Sequence, residues 1–254
     1  MTGNGEGDRE PVGRVAVIMP TYNERENVEP VAARLRRAVP GADLLIVDDN
    51  SPDGTGELAD KLAAGDSQVH VLHRPGKAGL GAAYIAGFQW ALGRGYGAVV
   101  EMDADGSHQP EELPALLSAL EGADLVIGSR WVPGGTVENW PKSRELLSRS
   151  ANVYTRLALG IKIKDATAGF RVYRAATLRR IPLAEIESQG YCFQIDLALR
   201  TVRAGLTVAE VPIKFVERVH GSSKMSRAVV TEAFWRVALW GVTTRGRRHE
   251  RSGG

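Results

Sequence analysis

Apolar positions along the first half of the chain alternate between two periods. Val15 to Met19 (VAVIM) is a solid apolar run closed by Pro20, the pattern of a strand buried on both faces. Val28, Val31, Ala32, Leu35 and Val39 then recur at helical spacing, with Arg34, Arg36 and Arg37 on the other face. The same switch repeats. Leu44 to Val47, Val69 to Leu72, Ala98 to Met102 and Leu125 to Ile127 read as strands. Leu58 to Ala63, Leu80 to Leu92 and Glu111 to Leu120 read as the helices between them. Strands alternating with helices imply βαβ units and a mainly parallel sheet. The second half changes character: Ser143 to Leu159, Tyr191 to Ala204 and Met225 to Val242 read as helices, and Asp165 to Tyr173 and Thr207 to Phe215 as extended segments.

No repeat or composition break divides the 254 residues, so a single α/β domain over 14–243 is expected. A polar, Gly-rich leader (1–13) and a basic tail (244–254) flank it. The leader lacks the apolar stretch of a signal peptide, and no apolar run reaches membrane-spanning length. Lys and Arg total 32 against 30 Asp and Glu, too even a balance for a nucleic-acid-coating protein. Cys192 is the single cysteine, which excludes an internal disulfide and a Cys-rich zinc site and fits a reducing compartment.

Open parallel sheets bind ligands beyond the carboxyl ends of their strands, and here those ends are polar. The first strand runs into Pro20-Thr21-Tyr22-Asn23-Glu24, where Asn23 and Glu26 have capping-box spacing. The second ends in Asp48-Asp49-Asn50-Ser51-Pro52-Asp53-Gly54-Thr55; a turn needs one of the two leading carboxylates, and the other suits ribose hydroxyls or a base. The fourth ends in Asp103-Ala104-Asp105-Gly106-Ser107-His108. Two carboxylates on a rigid strand end suit Mg2+ or Mn2+, whose remaining positions go to water and phosphate oxygens. His108 reads as a hydrogen-bonded structural residue rather than a ligand. Gly76 to Gly81 (GKAGLG) opens a helix and could cradle a phosphate, yet it is neither a P-loop nor a complete dinucleotide fingerprint, which disfavours an NAD enzyme. Arg130 follows the fifth strand, Arg144 and Ser148 lie four apart on one predicted helix face, and Arg218 and Lys224 flank a Gly/Ser turn that could clamp a diphosphate. There is no nucleophile elbow, no zinc-protease motif and no Cys/His pair.

In this order, PTYNE, IVDDNSPDGT, GKAGLGAA, MDADGSHQPE, GSR, DATAGFRVYR, GYCFQID and FVERVHGSSK resemble the inverting GT-A nucleotide-sugar transferases, and more narrowly the polyprenol-phosphate (dolichol-phosphate) mannose synthases. The resemblance covers about residues 14–227. It implies a GT-A (Rossmann-like) sheet with a C-terminal acceptor-side elaboration. It also implies inverting transfer of mannose from GDP-mannose to a polyprenyl monophosphate, with Mg2+ or Mn2+. Pro20, Tyr22, Glu24, Val47 and Asp49 match positions that hold the nucleoside. Asp103, Ala104 and Asp105 match the donor and metal site, and Arg218 and Lys224 the cations over the diphosphate. Arg130, Arg144 and Ser148 match the lipid-phosphate positions, and Asp105, Arg130, Arg218 and Lys224 carry the transfer step. Ser107 departs from members with a Gln metal ligand at that place. UDP-glucose transfer to the same lipid is the alternative, and a silent nucleotide-sugar-binding module sits poorly with the intact carboxylates and cations. A phosphate monoester acceptor is anionic near neutral pH, so it needs positioning and charge screening more than a dedicated base. A lipid acceptor implies a protein at the cytoplasmic membrane face, held peripherally or by a membrane-protein subunit. The amphipathic helix from Val229 to Val242, with Arg245, Arg247 and Arg248 after it, could lie in the bilayer interface or pack on the domain.

Overall fold

The structure is a computed structural model that describes residues 11–186, 190–217 and 234–241. Its first half is a run of alternating units: β1 (Val15–Thr21), α1 (Arg25–Ala38), β2 (Ala42–Asp48), α2 (Thr55–Gly65), β3 (Val69–His73), α3 (Leu80–Leu92), β4 (Ala98–Glu101), α4 (Leu113–Ala119) and β5 (Leu125–Ser129). Then come β6 (Thr136–Glu138), α5 (Lys142–Leu159), β7 (Arg171–Arg174), α6 (Ala175–Arg180), α7 (Tyr191–Arg203), β8 (Val208–Pro212) and β9 (Lys214–Val216). A helix over residues 234–241 (α8) ends the described chain.

Seven strands form one sheet in the order β3-β2-β1-β4-β7-β5-β8, and β6 and β9 pair as a separate parallel ribbon. β1 lies between β2 and β4 with parallel partners on both sides, Ile18 facing Leu45 and Glu101. Strands leave β1 in both directions there, which opens a crevice at the carboxyl edge of β1 and β4. Because successive residues of a strand point to opposite faces, β1 feeds two core layers. Ala16 and Ile18 join Tyr84 and Phe88 of α3, Phe193 of α7 and Val237 of α8. Val17 and Met19 join Val28 and Leu35 of α1 and Leu113 and Leu116 of α4. Each fully buried Ile, Leu or Phe contributes roughly 1.5–3 kcal/mol. α3 rides so close on β1 that a Cβ at Gly87 would collide with Ile18.

β7 is the exception to the parallel order. It runs antiparallel between β4 and β5, with Arg171, its first residue, opposite both Glu101 and Ile127. The loop that leads into β7 therefore arrives at the edge where the parallel strands end. This differs from the long extended segment expected over Asp165 to Tyr173: only the last residues are strand, and the rest is that loop. β6 and α6 carry no sequence signal; β6 is three residues, and α6 six. The helix expected from Glu111 is split, beginning as a 3-10 turn (Pro110–Glu112) ahead of α4. The capping box of Asn23 and Glu26 does not form. Glu24 is the N-cap, without a side-chain cap bond, and Asn23 sits at φ 59° with its N–H donated to Ser51 Oγ at 3.1 Å.

α8 packs on α5. Tyr154 stacks on Phe234 with ring centroids 4.5 Å apart, its hydroxyl donates to the Phe234 carbonyl, and Gly241 lies against the Ala158 carbonyl. Among the described residues no helix is long and apolar enough to cross a membrane. Most of the leader, the tail, residues 225–233 of the expected terminal helix, and Arg218 and Lys224 lie outside the described residues.

Candidate active site

The ends of β1 and β2 are stitched into one wall. Asp48 is the structural carboxylate: it accepts from Thr21 Oγ1 at 2.9 Å, from Ser51 Oγ at 2.6 Å and from the Ser51 N–H at 3.0 Å. Thr55 Oγ1 accepts the Glu24 N–H at 3.0 Å, and Asp53 the Arg25 N–H at 3.3 Å. Pro20 stands opposite Val47 in the sheet register. The Val47 side chain is fully buried in the α3-side layer, so that position offers no side-chain surface to a nucleoside. Asp49 is the second carboxylate of the pair and points elsewhere, to Arg74 NH1 at 2.5 Å. Burial raises its pKa above the ordinary value, against the pull of Arg74 and the Ala78 backbone. Lys77 of the Gly-rich loop lies 4.3 Å over the Tyr22 ring. That loop turns through Gly79 at φ 93°, and Gly81 is a packing position, where a Cβ would come within 2.8 Å of Phe193.

The Asp103 to His108 turn is held from three sides. Buried Tyr84 donates its hydroxyl to Asp103 Oδ1 at 2.9 Å, and burial with the neighbouring carboxylates raises its pKa far enough to keep that proton. His108 Nδ1 accepts the Asp103 N–H at 3.0 Å, its ring stacks on Phe170, and burial lowers its pKa, so it is a neutral structural acceptor. Asp105 Oδ1 accepts the Ser107 N–H at 3.0 Å across Gly106, which takes φ 75°. Beneath them Glu101 is fully buried and accepts from Gln194 Nε2 at 2.7 Å; burial pushes its carboxyl up to about 7 against the charge of Arg171.

The donor set fits a hard divalent cation. Asp103 and Asp105 supply carboxylate oxygens, and Ser107 Oγ is buried without a hydrogen-bond partner beside them. Among the described residues no cluster of three His, Cys, Asp or Glu could hold an ion by itself. Two carboxylates suffice for an ion that shares its shell with phosphate and water.

On the other side of the turn, Arg130, Arg144 and Ser148 line one cavity of ≈320 Å³, walled by Trp140, Leu147, Tyr154, Ile195, Phe234 and Val237. Its apolar wall comes from α5, α7 and α8. A run of rings joins it to the carboxylate turn: His108 to Phe215 at 5.7 Å and Phe215 to Trp140 at 5.3 Å. The arginines are already engaged. Asp165 takes Arg130 bidentately, Nε and NH2 each at 2.7 Å, and accepts its backbone N–H at 3.0 Å; Thr167 Oγ1 accepts NH2 at 2.9 Å. Arg144 pairs with Glu217 and stacks 4.1 Å over Trp140.

Asp165, Thr167, Tyr84, Arg74, Trp140 and Glu217 carry this geometry without a sequence signal of their own. The DATAG loop precedes its strand and reaches the site only because β7 is antiparallel. A Cβ added at Gly169 in that loop would lie 3.9 Å from Asp103 Oδ2.

Comparison with known proteins bears on this arrangement. The family model "Glycosyl transferase family 2" matches residues 16–181. A polyprenol monophosphomannose synthase of Mycolicibacterium smegmatis is 57% identical over 237 residues, covering 92% of this chain and 89% of the relative. An undecaprenyl-phosphate mannosyltransferase of Micrococcus luteus is 59% identical over 232 residues, covering 91% and 96%. Among solved structures, glucosyl-3-phosphoglycerate synthase from Mycobacterium tuberculosis, in complex with Mn2+, UDP-glucose and phosphoglyceric acid, has a TM-score of 0.65 at 24% identity, over 89% of this chain and 80% of that one. That likeness shows the shared fold.

Proposed function

We propose a complete reaction for this chain, which belongs to glycosyl transferase family 2 and has the GT-A fold: mannosyl transfer from GDP-mannose to a polyprenyl monophosphate, with inversion, giving polyprenyl-phosphate mannose and GDP. The observation that carries it is the identity of 57% and 59% to the two mannosyl-transferring relatives over more than nine-tenths of the chain. The cavity gives the lipid reading a physical basis. Arginines and a serine at an apolar chamber suit an amphiphile with an anionic head.

In this reading Pro20, Tyr22, Glu24 and Asp49 hold the nucleoside along the β1–β2 wall. Asp103 and Asp105, steadied by Tyr84 and His108, hold the diphosphate end of the donor together with a divalent ion, Mg2+ or Mn2+. When bound, that ion supplies screening of the charge that develops on the departing diphosphate. Arg218 and Lys224 add cations there by their place in the sequence. Arg130, Arg144 and Ser148 orient the acceptor phosphate. One of its oxygens forms a bond to the anomeric carbon from the face opposite the diphosphate, the bond from that carbon to the diphosphate oxygen breaks, and its electron pair leaves with GDP. The nucleophile is already an anion, so no side chain takes a proton. A water-soluble donor and a lipid acceptor put the protein at the cytoplasmic face of a membrane, bound peripherally.

The test offers GDP-mannose and UDP-glucose separately to a short polyprenyl phosphate, with and without Mg2+ or Mn2+. Mannosyl lipid formed only with metal is the expected result. Glucosyl lipid in its place overturns the donor, and metal-independent transfer overturns the role of Asp103 and Asp105.

A further inference from the structure

Most glycines around the site have a structural reason. Gly79 and Gly106 take φ of 93° and 75°, a region that L side chains rarely adopt. At Gly81 and Gly128 a Cβ would come within 2.8 and 2.9 Å of the Phe193 and Ile213 side chains, and at Gly135 within 2.5 Å of the Ser129 carbonyl. Gly169 has neither reason. Its φ lies outside the positive region. The atoms nearest to an added Cβ are His108 Cε1 at 3.5 Å, Gln194 Nε2 at 3.8 Å and Asp103 Oδ2 at 3.9 Å, all ordinary van der Waals distances. The fold accepts alanine there. A glycine that the fold does not require, with the carboxylate turn in front of its Cα, marks a place where something outside the chain approaches the backbone.

Two further observations say what approaches. The first is access. Ala168 and Phe170 on either side are buried, yet Gly169 between them is only half-buried, so solvent reaches the loop at this residue. The second is position. The loop joins the two ends of the proposed reaction: Asp165 and Thr167 hold Arg130 at the acceptor cavity, and Gly169 lies beside Asp103 of the carboxylate turn. Phe215 spans the same gap, its ring centroid 5.7 Å from that of His108 and 5.4 Å from the Arg130 guanidinium carbon. Whatever links a diphosphate held at Asp103 and Asp105 to a phosphate held at Arg130 crosses this gap. In glycosyl transfer that is the sugar.

We propose that Gly169 is a specificity-determining position for the donor: its missing side chain leaves the room in which the transferred hexosyl ring lies, along the 165–169 loop, between the diphosphate and the acceptor phosphate. This rests on the proposed reaction and adds to it the residue that admits the sugar. A methyl group at 169 fills space that the fold leaves free, so its cost falls on the bound sugar and not on folding. Alanine also restricts the unfolded chain more than glycine does, which holds or raises stability where the backbone tolerates it. Stability and sugar binding therefore move apart in one variant.

The test compares the full chain with its Gly169→Ala variant by thermal unfolding, by calorimetry with Mn2+ and either GDP or GDP-mannose, and by transfer to a short polyprenyl phosphate. The variant is expected to melt at or above the wild-type temperature and to bind GDP as wild type does. Its affinity for GDP-mannose and its kcat/KM for transfer are expected to fall about tenfold or more, the effect of one overpacked methyl. A variant that binds GDP-mannose and transfers mannose like wild type overturns the proposal. So does an equal loss for GDP and GDP-mannose, which places the damage at the carboxylates. So does a lowered melting temperature, which gives the glycine a role in the fold. The proposed reaction fails separately, when wild type makes no mannosyl lipid; calorimetry with GDP-mannose still decides the position. If wild type makes glucosyl lipid instead, UDP and UDP-glucose replace the guanosine pair in the same comparison.

Discussion

Replacing Asp165 by Asn tests the most heavily bonded pair in the site. Asp165 is fully buried and Arg130 is 5% exposed. The carboxylate takes two guanidinium bonds at 2.7 Å, the Arg130 backbone N–H, the Thr167 hydroxyl at 3.1 Å and an Asn152 amide at 3.4 Å. Asparagine keeps the shape and removes the charge, leaving a guanidinium stranded away from water. Losing one partner of a buried ion pair costs about 3–5 kcal/mol. In a chain of this size that lowers the melting temperature by about 10 °C, at about 2–4 °C per kcal/mol. The assay is urea and thermal unfolding of wild type, Asp165→Asn, Arg130→Met and the double variant. The double variant is expected to recover part of the loss, because no lone charge is left buried. pH supplies a second reading. Burial raises the Asp165 pKa, but the charge and hydrogen bonds of Arg130 outweigh it, and the folded value lies below the ordinary 3.8. The carboxylate's stabilising contribution is therefore complete above that ordinary value and is lost as pH falls toward the folded one. The gap between wild type and Asp165→Asn should be full at neutral pH and close on acidification below about 3.8. An Asp165→Asn protein that unfolds within about 1 kcal/mol of wild type at neutral pH refutes the reasoning.

Four further outcomes are expected. Asp105→Ala should abolish metal-stimulated transfer and the Mn2+-dependent part of GDP binding measured by calorimetry, with the melting curve little changed. Tyr84→Phe removes the bond that orients Asp103, so GDP-dependent Mn2+ affinity, read by electron paramagnetic resonance, should fall about tenfold or less, the effect of one charge-assisted hydrogen bond. The Trp140 indole N–H is buried without a partner on the cavity wall, and Trp140→Phe keeps a ring under Arg144; the acceptor KM should rise about fivefold with the donor KM unchanged, as for one hydrogen bond of about 1 kcal/mol. Gly87→Ala drives a methyl into Ile18, and denaturant unfolding should show a loss of about 1–3 kcal/mol from overpacking, with KM values unaffected.

What the sequence made legible follows from burial. β1, β2 and β4 are covered on both faces, so their solid apolar runs stand out, and the carboxylates after them were found because they sit where such strands end. β6 and β9 are three-residue strands with mostly exposed or half-buried positions, and no hydrophobic period marks them. Yet their pairing sets Phe215 between His108 and Trp140. The direction of β7 is a long-range property that local patterning does not encode, and with it went Asp165 and Thr167. Arg130, Arg144 and Ser148 were read as a group through resemblance; spacing along α5 alone made Arg144 and Ser148 look like a solvated face. That Arg130 and Arg144 each come with a carboxylate, from 35 and 73 residues away, is visible only in three dimensions.

With the cavity as the acceptor site of the proposed reaction, those internal carboxylates give it a selectivity that a bare cluster of cations lacks. Arg130 is matched by Asp165 and Arg144 by Glu217. A small free anion arriving at such arginines meets charge that is already balanced, and it brings only its own electrostatic attraction to compete with partners held in place by the fold. An amphiphile brings hydrocarbon as well, and each methylene it buries in the apolar chamber adds about 0.8 kcal/mol. The two demands reinforce each other: the head is admitted on the strength of the tail. Under the proposed reaction, soluble phosphates, which bring no hydrocarbon, meet only one of these two demands.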